Sequence, residues 1–318
     1  MIAQAGLDAL VIATPPDLHY AMALASLDRG LHVLCEKPLA LDAGQAREML
    51  AKAEAAGVVH MTFFTYRWMP FYRYLRQLVQ EGYVGRCFQI LIRYPAGYMR
   101  RDAWRLDAGH AQGALGDLGC HMIDLARWLV GDIARVSAHL GAFVDRPRTD
   151  GQPYASANDA AALLLEFANS AQGIIQVSFA AHEADRGQEQ HIVLHGEQGT
   201  LEMSFRLMGS EGGAIIRGAR HDSKRFEEIA VPDEMWGDVD RSDFLSSLFS
   251  GVFLTQPVGD RLFVDAILEG RQVSPSFYDG LKAQEVIEAA LRSDAEGRRV
   301  SVPGEAGAGA GARQIGVV

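Results

Sequence analysis

The chain has 318 residues, 48% of them hydrophobic and 22% charged, and a net charge of −10. That length supports two domains with cores of their own, and the composition is that of a globular enzyme. The negative balance speaks against nucleic acid or an anionic membrane as the main partner, and no stretch approaches the roughly 20 apolar residues of a membrane span.

Ala9-Leu10-Val11-Ile12-Ala13 is a continuous apolar run, the pattern of a parallel strand buried on both faces. Thr14-Pro15-Pro16-Asp17 ends it, because proline cannot continue a hydrogen-bonded ladder. The pattern then predicts a helix over 19–28 stopped by Gly30 and a strand over 31–35. A helix over 42–56 stopped by Gly57 and a strand over 58–65 follow. This alternation reads as the second half of a Rossmann-like, doubly wound parallel sheet. No glycine-rich phosphate turn stands before Ala9. The sheet is therefore expected to be N-terminally truncated, lacking first βα units of roughly 60 residues, with 9–13 as an open edge strand.

Beyond Met69-Pro70 the character changes. A helix carrying Tyr74, Leu75, Leu78 and Val79 ends at Gly82. Strands are predicted over 86–94, 135–143, 160–167, 173–179, 190–194 and 200–203, with turns at Asn169-Ser170 and Glu197-Gln198-Gly199. This is a second, α+β domain with a large, mainly antiparallel sheet. Asp279 is expected to cap a last amphipathic helix, with Val286, Ile287 and Leu291 on its buried side. Residues 1–66 thus read as a partial dinucleotide-binding domain and 67–303 as a substrate and dimerisation domain. The Gly/Ala-rich stretch 304–318 is expected to be a disordered tail. Gly307-Ala308-Gly309-Ala310-Gly311-Ala312 within it has the form of a dinucleotide fingerprint but lacks the helix that fingerprint opens.

Cys35, Cys87 and Cys120 are odd in number and far apart, as expected of reduced thiols in a cytoplasmic protein. The N-terminus has no basic region followed by an apolar core, so it does not read as a secretory signal.

The densest chemical signal is Gly113-Ala114-Leu115-Gly116-Asp117-Leu118-Gly119-Cys120-His121-Met122-Ile123-Asp124. On a helix running to Val130, Leu118, Met122, Leu125 and Leu129 form the apolar stripe. Asp117, His121 and Asp124 would share another face, where a carboxylate one turn from an imidazole can fix its tautomer for general-base work. The same spacing also suits an N-capping acid and a helical histidine in a polar interface. With His110 these residues have metal-ligand types, but no H-E-x-x-H or cysteine cluster accompanies them and no metal is expected.

Glu36-Lys37-Pro38 closes the second strand at the carboxyl edge of the sheet, where open α/β folds bind ligands. Proline after lysine disfavours helix and presents the ammonium at a fixed angle. Only four of the 30 basic residues are lysines, so Lys37 is unlike mere surface decoration.

These stretches resemble the Gfo/Idh/MocA oxidoreductases, the group of glucose–fructose oxidoreductase and inositol dehydrogenase. The resemblance is carried by Ala13-Thr14-Pro15-Pro16 with His19, by Val33-Leu34-Cys35-Glu36-Lys37-Pro38-Leu39, and by Tyr66-Arg67-Trp68 before Pro70. Trp104-Arg105, the 113–124 segment and Phe277-Tyr278-Asp279-Gly280 complete it, over about Leu7 to Pro303.

The resemblance implies an NAD- or NADP-dependent dehydrogenase acting on a sugar, polyol or similar hydroxyl compound. Lys37 would polarise the reacting oxygen, His121 would exchange the hydroxyl proton, and Asp117 would orient His121 or bind substrate. Thr14, Pro15, His19, Glu36 and Lys37 would line the nicotinamide end, with Trp104 and Arg105 reaching the cofactor from the second domain. It also implies a homodimer or homotetramer formed through the antiparallel sheet.

Without the glycine-rich turn, two or three charged hydrogen bonds to pyrophosphate, each about 1.5–3 kcal/mol, are missing, and dinucleotide affinity is expected to fall roughly a thousandfold or more. A redox-assisted lyase or NAD-dependent glycosidase on the same scaffold, and a catalytically inactive dimerisation or regulatory module, are the alternatives.

Overall fold

The computed structural model describes residues 6–97, 104–146, 154–209 and 212–304, so 305–318 of the expected tail lie outside the described residues. The first lobe alternates β1 (Ala9–Ile12), α1 (His19–Leu27), β2 (His32–Cys35), α2 (Ala43–Ala56) and β3 (His60–Thr62). Its strands pair in parallel in the order β1-β2-β3. Parallel neighbours need helical crossovers, which α1 and α2 supply. Ile12, Val33, Cys35 and Met61 are buried between sheet and helices.

Asp42 caps α2 by accepting the Gln45 amide, and Gly57 ends it in the left-handed region at φ +64°. β3 is shorter than the sequence suggests, because a 3-10 turn over Thr65–Trp68 takes the chain out of the sheet. That turn buries Tyr66, Arg67 and Trp68 where the two lobes meet.

The second lobe adds α3 (Pro70–Gln80), β4 (Cys87–Pro95), α4 (Cys120–Val130), β5 (Ile133–Gly141), β6 (Ala160–Phe167), β7 (Gln172–Ser178), β8 (Glu189–Gly196) and β9 (Gly199–Arg206). β10 (Gly213–Arg220) and β11 (Glu227–Glu228) follow, then short helices α5 (Asp233–Trp236), α6 (Phe244–Ser246) and α7 (Phe253–Thr255). The described chain closes with α8 (Gly259–Glu269), α9 (Phe277–Glu296) and β12 (Val300–Ser301).

Nine strands form one sheet in the order β11-β10-β9-β8-β4-β7-β6-β5-β12. Every neighbouring pair is antiparallel except β4 with β7. Period-two alternation gives the sheet two distinct faces. On β6, Ala161, Leu163, Leu165 and Phe167 point into the core, while Leu164 between them is 60% exposed. Among the described residues, no helix is long and apolar enough to cross a membrane.

The last helix corrects one expectation. Ser276, not Asp279, is the N-cap of α9. Asp279 stands at the third helical position and accepts the Ser276 amide, so the two form a reciprocal capping box. Nor is α9 amphipathic in the expected one-sided way, since both lobes pack on it. Phe277 and Leu281 belong to the core of the first lobe, while Val286, Ile287 and Ala290 belong to that of the second. Gly280 permits the closest approach: a Cβ there would sit 2.6 Å from Thr62 Oγ1 and 2.8 Å from Leu39 Cβ.

Candidate active site

The strand β2 delivers Glu36-Lys37-Pro38 to the carboxyl edge of the parallel sheet, and the Lys37–Pro38 bond is cis. Two contacts hold the turn. The Lys37 amide donates to Glu36 Oε2 at 3.1 Å, and the Pro38 carbonyl lies 2.9 Å from His19 Nδ1.

From the other lobe, Asp117 arrives on a π-helical turn, Leu115–Gly119, that leads into α4. Asn158 fixes the entry to this turn. Its side-chain oxygen accepts the Leu115 amide at 2.9 Å, its amide donates to the Gln112 carbonyl at 2.8 Å, and its own carbonyl accepts the Ala114 amide. Gly113 is required there: its φ is +65°, and a Cβ would meet the Asn158 carbonyl oxygen at 2.1 Å.

At the carboxyl edge the two lobes meet in an ion pair. Lys37 Nζ lies 2.5 Å from Asp117 Oδ1 and also donates to the Asp117 carbonyl at 3.1 Å. Burial works against the ammonium, but Asp117 outweighs it and raises the Lys37 pKa above the ordinary lysine value. Burial likewise opposes the carboxylate, and Lys37 with Arg105 overcomes it and lowers the Asp117 pKa. Both groups are therefore charged at neutral pH.

Arg105 Nε is 3.3 Å from Asp117 Oδ2, close enough for charge pairing although the N–H is not aimed at the oxygen. The Arg105 guanidinium stacks on Trp104 at 4.2 Å, and its terminal nitrogens make no hydrogen bond to a described residue.

His121 is buried, with its ring 4.4 Å from that of Tyr66 and 6.0 Å from that of Phe64. Burial, helped by the Lys37 charge, lowers its pKa well below the ordinary imidazole value, so the ring is neutral. Nδ1 is buried without a partner. The phenol of Tyr66 hydrogen-bonds to that of Tyr94 at 2.7 Å, and Tyr94 donates to Gln188.

The expected shared face of Asp117, His121 and Asp124 is not formed. The widened π-turn directs Asp117 to Lys37 and Arg105, with no hydrogen bond to His121, so its contact is with the lysine and not the imidazole. Asp124 faces away. It receives Arg67 Nε at 2.8 Å and Nη2 at 2.5 Å, and Arg67 also pairs with Asp279 at 2.8 Å. His110 pairs with Asp17 across the cleft at 2.8 Å. The residues with metal-ligand types are thus held in separate contacts.

Thr14, Pro15, Glu36 and Lys37 lie together on the turns after β1 and β2, and Trp104 and Arg105 approach Asp117 from the second lobe. His19 departs from its expected place lining the nicotinamide end. It is fully buried with both ring nitrogens against carbonyl oxygens, so it backs the turns and does not face the cleft. Tyr66, Tyr94 and Asn158 were not assigned roles from sequence. Tyr66 carried a signal in its position before Arg67-Trp68, whereas a lone loop asparagine such as Asn158 carries none.

A family model for an oxidoreductase family with an NAD-binding Rossmann fold matches residues 1–64, and one for the GFO/IDH/MocA C-terminal domain matches 72–202. The chain belongs to the Gfo/Idh/MocA oxidoreductases. Within this NAD-binding family it is 29% identical to levoglucosan dehydrogenase of Pseudarthrobacter phenanthrenivorans over 92% of this chain and 79% of that one. It is 27% identical to inositol 2-dehydrogenase of Rhizobium meliloti, over 94% and 82% of the two chains. A solved structure of levoglucosan dehydrogenase in complex with NADH and levoglucosan aligns with a TM-score of 0.83 at 27% identity, covering 95% of this chain and 82% of that one.

The residues present fit a nicotinamide cofactor on structural grounds. The carboxyl edge of β1 and β2 presents short turns, and the stacked Arg105 offers terminal donors that no described residue uses.

Proposed function

We propose that this protein transfers a hydride between the nicotinamide of NAD or NADP and a hydroxyl-bearing carbon of a sugar, polyol or related compound. The observation that carries the reading is the Lys37–Asp117 pair, in which groups from the two lobes meet at 2.5 Å at the carboxyl edge of the parallel sheet. When bound, the nicotinamide supplies the two-electron acceptor or donor.

An ammonium has three donors, and Asp117 takes two of them through its carboxylate and its carbonyl. The third is left for the reacting oxygen, whose developing negative charge Lys37 stabilises. His121, neutral and held by the Tyr66 ring, accepts the hydroxyl proton. Nδ1 is buried without a partner, which leaves Nε2 as the nitrogen to take that proton. Asp117 keeps Lys37 charged and aimed. Thr14, Pro15 and Glu36 line the nicotinamide end, with Trp104 and Arg105 closing on it from the second lobe. In this reading residues 1–66 hold the cofactor and 67–303 the substrate, with α9 bracing both.

The open face of the nine-stranded sheet exposes Leu164 and Ile174, which supports a homodimer or homotetramer built through that face. The net charge of −10 supports a small-molecule enzyme with no nucleic-acid partner. The free cysteines Cys35 and Cys120, both buried, support a cytoplasmic location.

The test is net reduction of NAD and NADP in the presence of levoglucosan, inositols and a panel of sugars, read by nicotinamide absorbance. Turnover that stops in Lys37→Ala while the variant stays folded supports the reading. Chemistry on these compounds with no net cofactor reduction would sink it.

A further inference from the structure

Behind the turns that carry Thr14 and Lys37, the His19 ring is fully buried, with Nδ1 2.9 Å from Pro38 O and Nε2 2.8 Å from Thr14 O. A carbonyl oxygen only accepts, so each contact is a hydrogen bond only when that nitrogen carries a proton. A neutral imidazole carries one. In either neutral tautomer, a bare nitrogen lone pair would face a carbonyl lone pair at contact distance in a buried site. Only the imidazolium satisfies both carbonyls.

We propose that His19 is a positioning residue that works in its doubly protonated form, stapling the turn after β1 to the turn after β2 and so fixing the Lys37 ammonium against Asp117. This rests on the reading of Lys37 given above. The staple acts on the Pro38 carbonyl, one residue beyond Lys37, while the Glu36 carboxylate, by accepting the Lys37 amide at 3.1 Å, secures the near side. The dipole of α1, whose first residue is His19, opposes a cation at that end. The two carbonyls and Glu36 offset it. Burial pushes the Glu36 carboxyl upward, and Lys37 and the His19 charge pull it back toward the ionised form.

The deciding measurement is a long-range nitrogen–proton correlation spectrum of the full chain labelled with ¹⁵N-histidine at neutral pH. The His19 ring is assigned as the signal missing from His19→Gln. Both ring nitrogens of His19 are expected in the protonated form, and a singly protonated ring overturns the proposal.

His19→Phe keeps a ring of similar size without donors. It is expected to lower kcat by about a hundredfold, as misplacement of a reacting group by about an ångström does, with KM changing far less. Unchanged kcat in a folded His19→Phe also overturns it. Should that variant fail to fold, the spectrum of the unmodified protein still decides. A neutral His19 beside an inactive Lys37→Ala removes the staple alone, whereas an active Lys37→Ala removes the role of Lys37 and the purpose of the staple with it.

Discussion

The Lys37 ammonium and the Asp117 carboxylate touch at 2.5 Å although 80 residues separate them in the chain. One comes from a strand end in the parallel sheet and the other from a π-turn in the second lobe, so each lobe supplies half of the polar centre. Asp117→Asn keeps the shape and removes the charge that holds Lys37 ionised. We expect kcat and kcat/KM to fall together, by roughly 10²–10⁴-fold, because the interaction matters most as charge develops on the substrate oxygen. Steady-state kinetics on the alcohol substrate provide the check.

The His121 imidazole has its pKa lowered well below the ordinary value of 6.5, by burial first and by Lys37 second, with Asp117 opposing. The sign follows directly. The ring is the neutral base throughout the neutral range and gains a proton only at lower pH. In the oxidation direction, kcat/KM should stay level as pH falls through 6.5 and drop only further down. An acid limb centred near the ordinary histidine value would contradict this assignment.

His60 offers a stability test away from the chemistry. Burial pushes its pKa down to about 4, while Asp279 pulls weakly upward, and Nδ1 accepts the Phe277 amide at 3.2 Å. The unfolded chain therefore binds a proton that the folded chain refuses. The contribution, on the order of 3 kcal/mol, is complete above about pH 6.5 and is lost as pH falls through about 4. Urea unfolding from pH 7.5 to pH 4, values chosen to span that window, should show the loss. His60→Gln, which does not titrate, should flatten the curve over the same range.

Arg67 holds two acids at once. Burial pushes the Asp124 carboxyl up, and the guanidinium of Arg67 counters it while also binding Asp279 and the Ser274 hydroxyl. Arg67→Met removes the cation that touches both carboxylates and leaves them only the more distant charge of Arg127. The expected loss is about 3–5 kcal/mol in a urea unfolding experiment, far more than an exposed pair would cost.

Where local pattern decides structure, the chain was readable. The run at 160–167 became β6 over the same residues, and Asp42 with Gly57 bounded α2 as their types require. β10 was missed because Gly213 and Gly218 dilute the alternation around Ile215 and Ile216. The capping residue of α9 was misplaced by three positions because Ser276 and Asp279 both have capping types, and only the reciprocal bonds show which is outermost. At the site, residue types singled out Lys37, Asp117 and His121 as candidates, and helical spacing pointed Asp117 at His121 where the structure pairs it with Lys37. A π-turn is a departure from regular periodicity, so no regular helical wheel could have directed Asp117 to Lys37 and Asp124 to Arg67. Tertiary contacts set those partners.

The placement of Phe277 and Leu281 in the core of the first lobe has a consequence for synthesis. β1, α1, β2, α2 and β3 are translated well before α9, and the apolar surface that α9 seals stays open until that helix is made. The nascent first lobe must therefore wait, with unfinished packing, for a helix about 200 residues downstream. Chains truncated before Phe277 should be cut by protease within 1–66 and aggregate once released, whereas released chains that include α9 through Glu296 should resist.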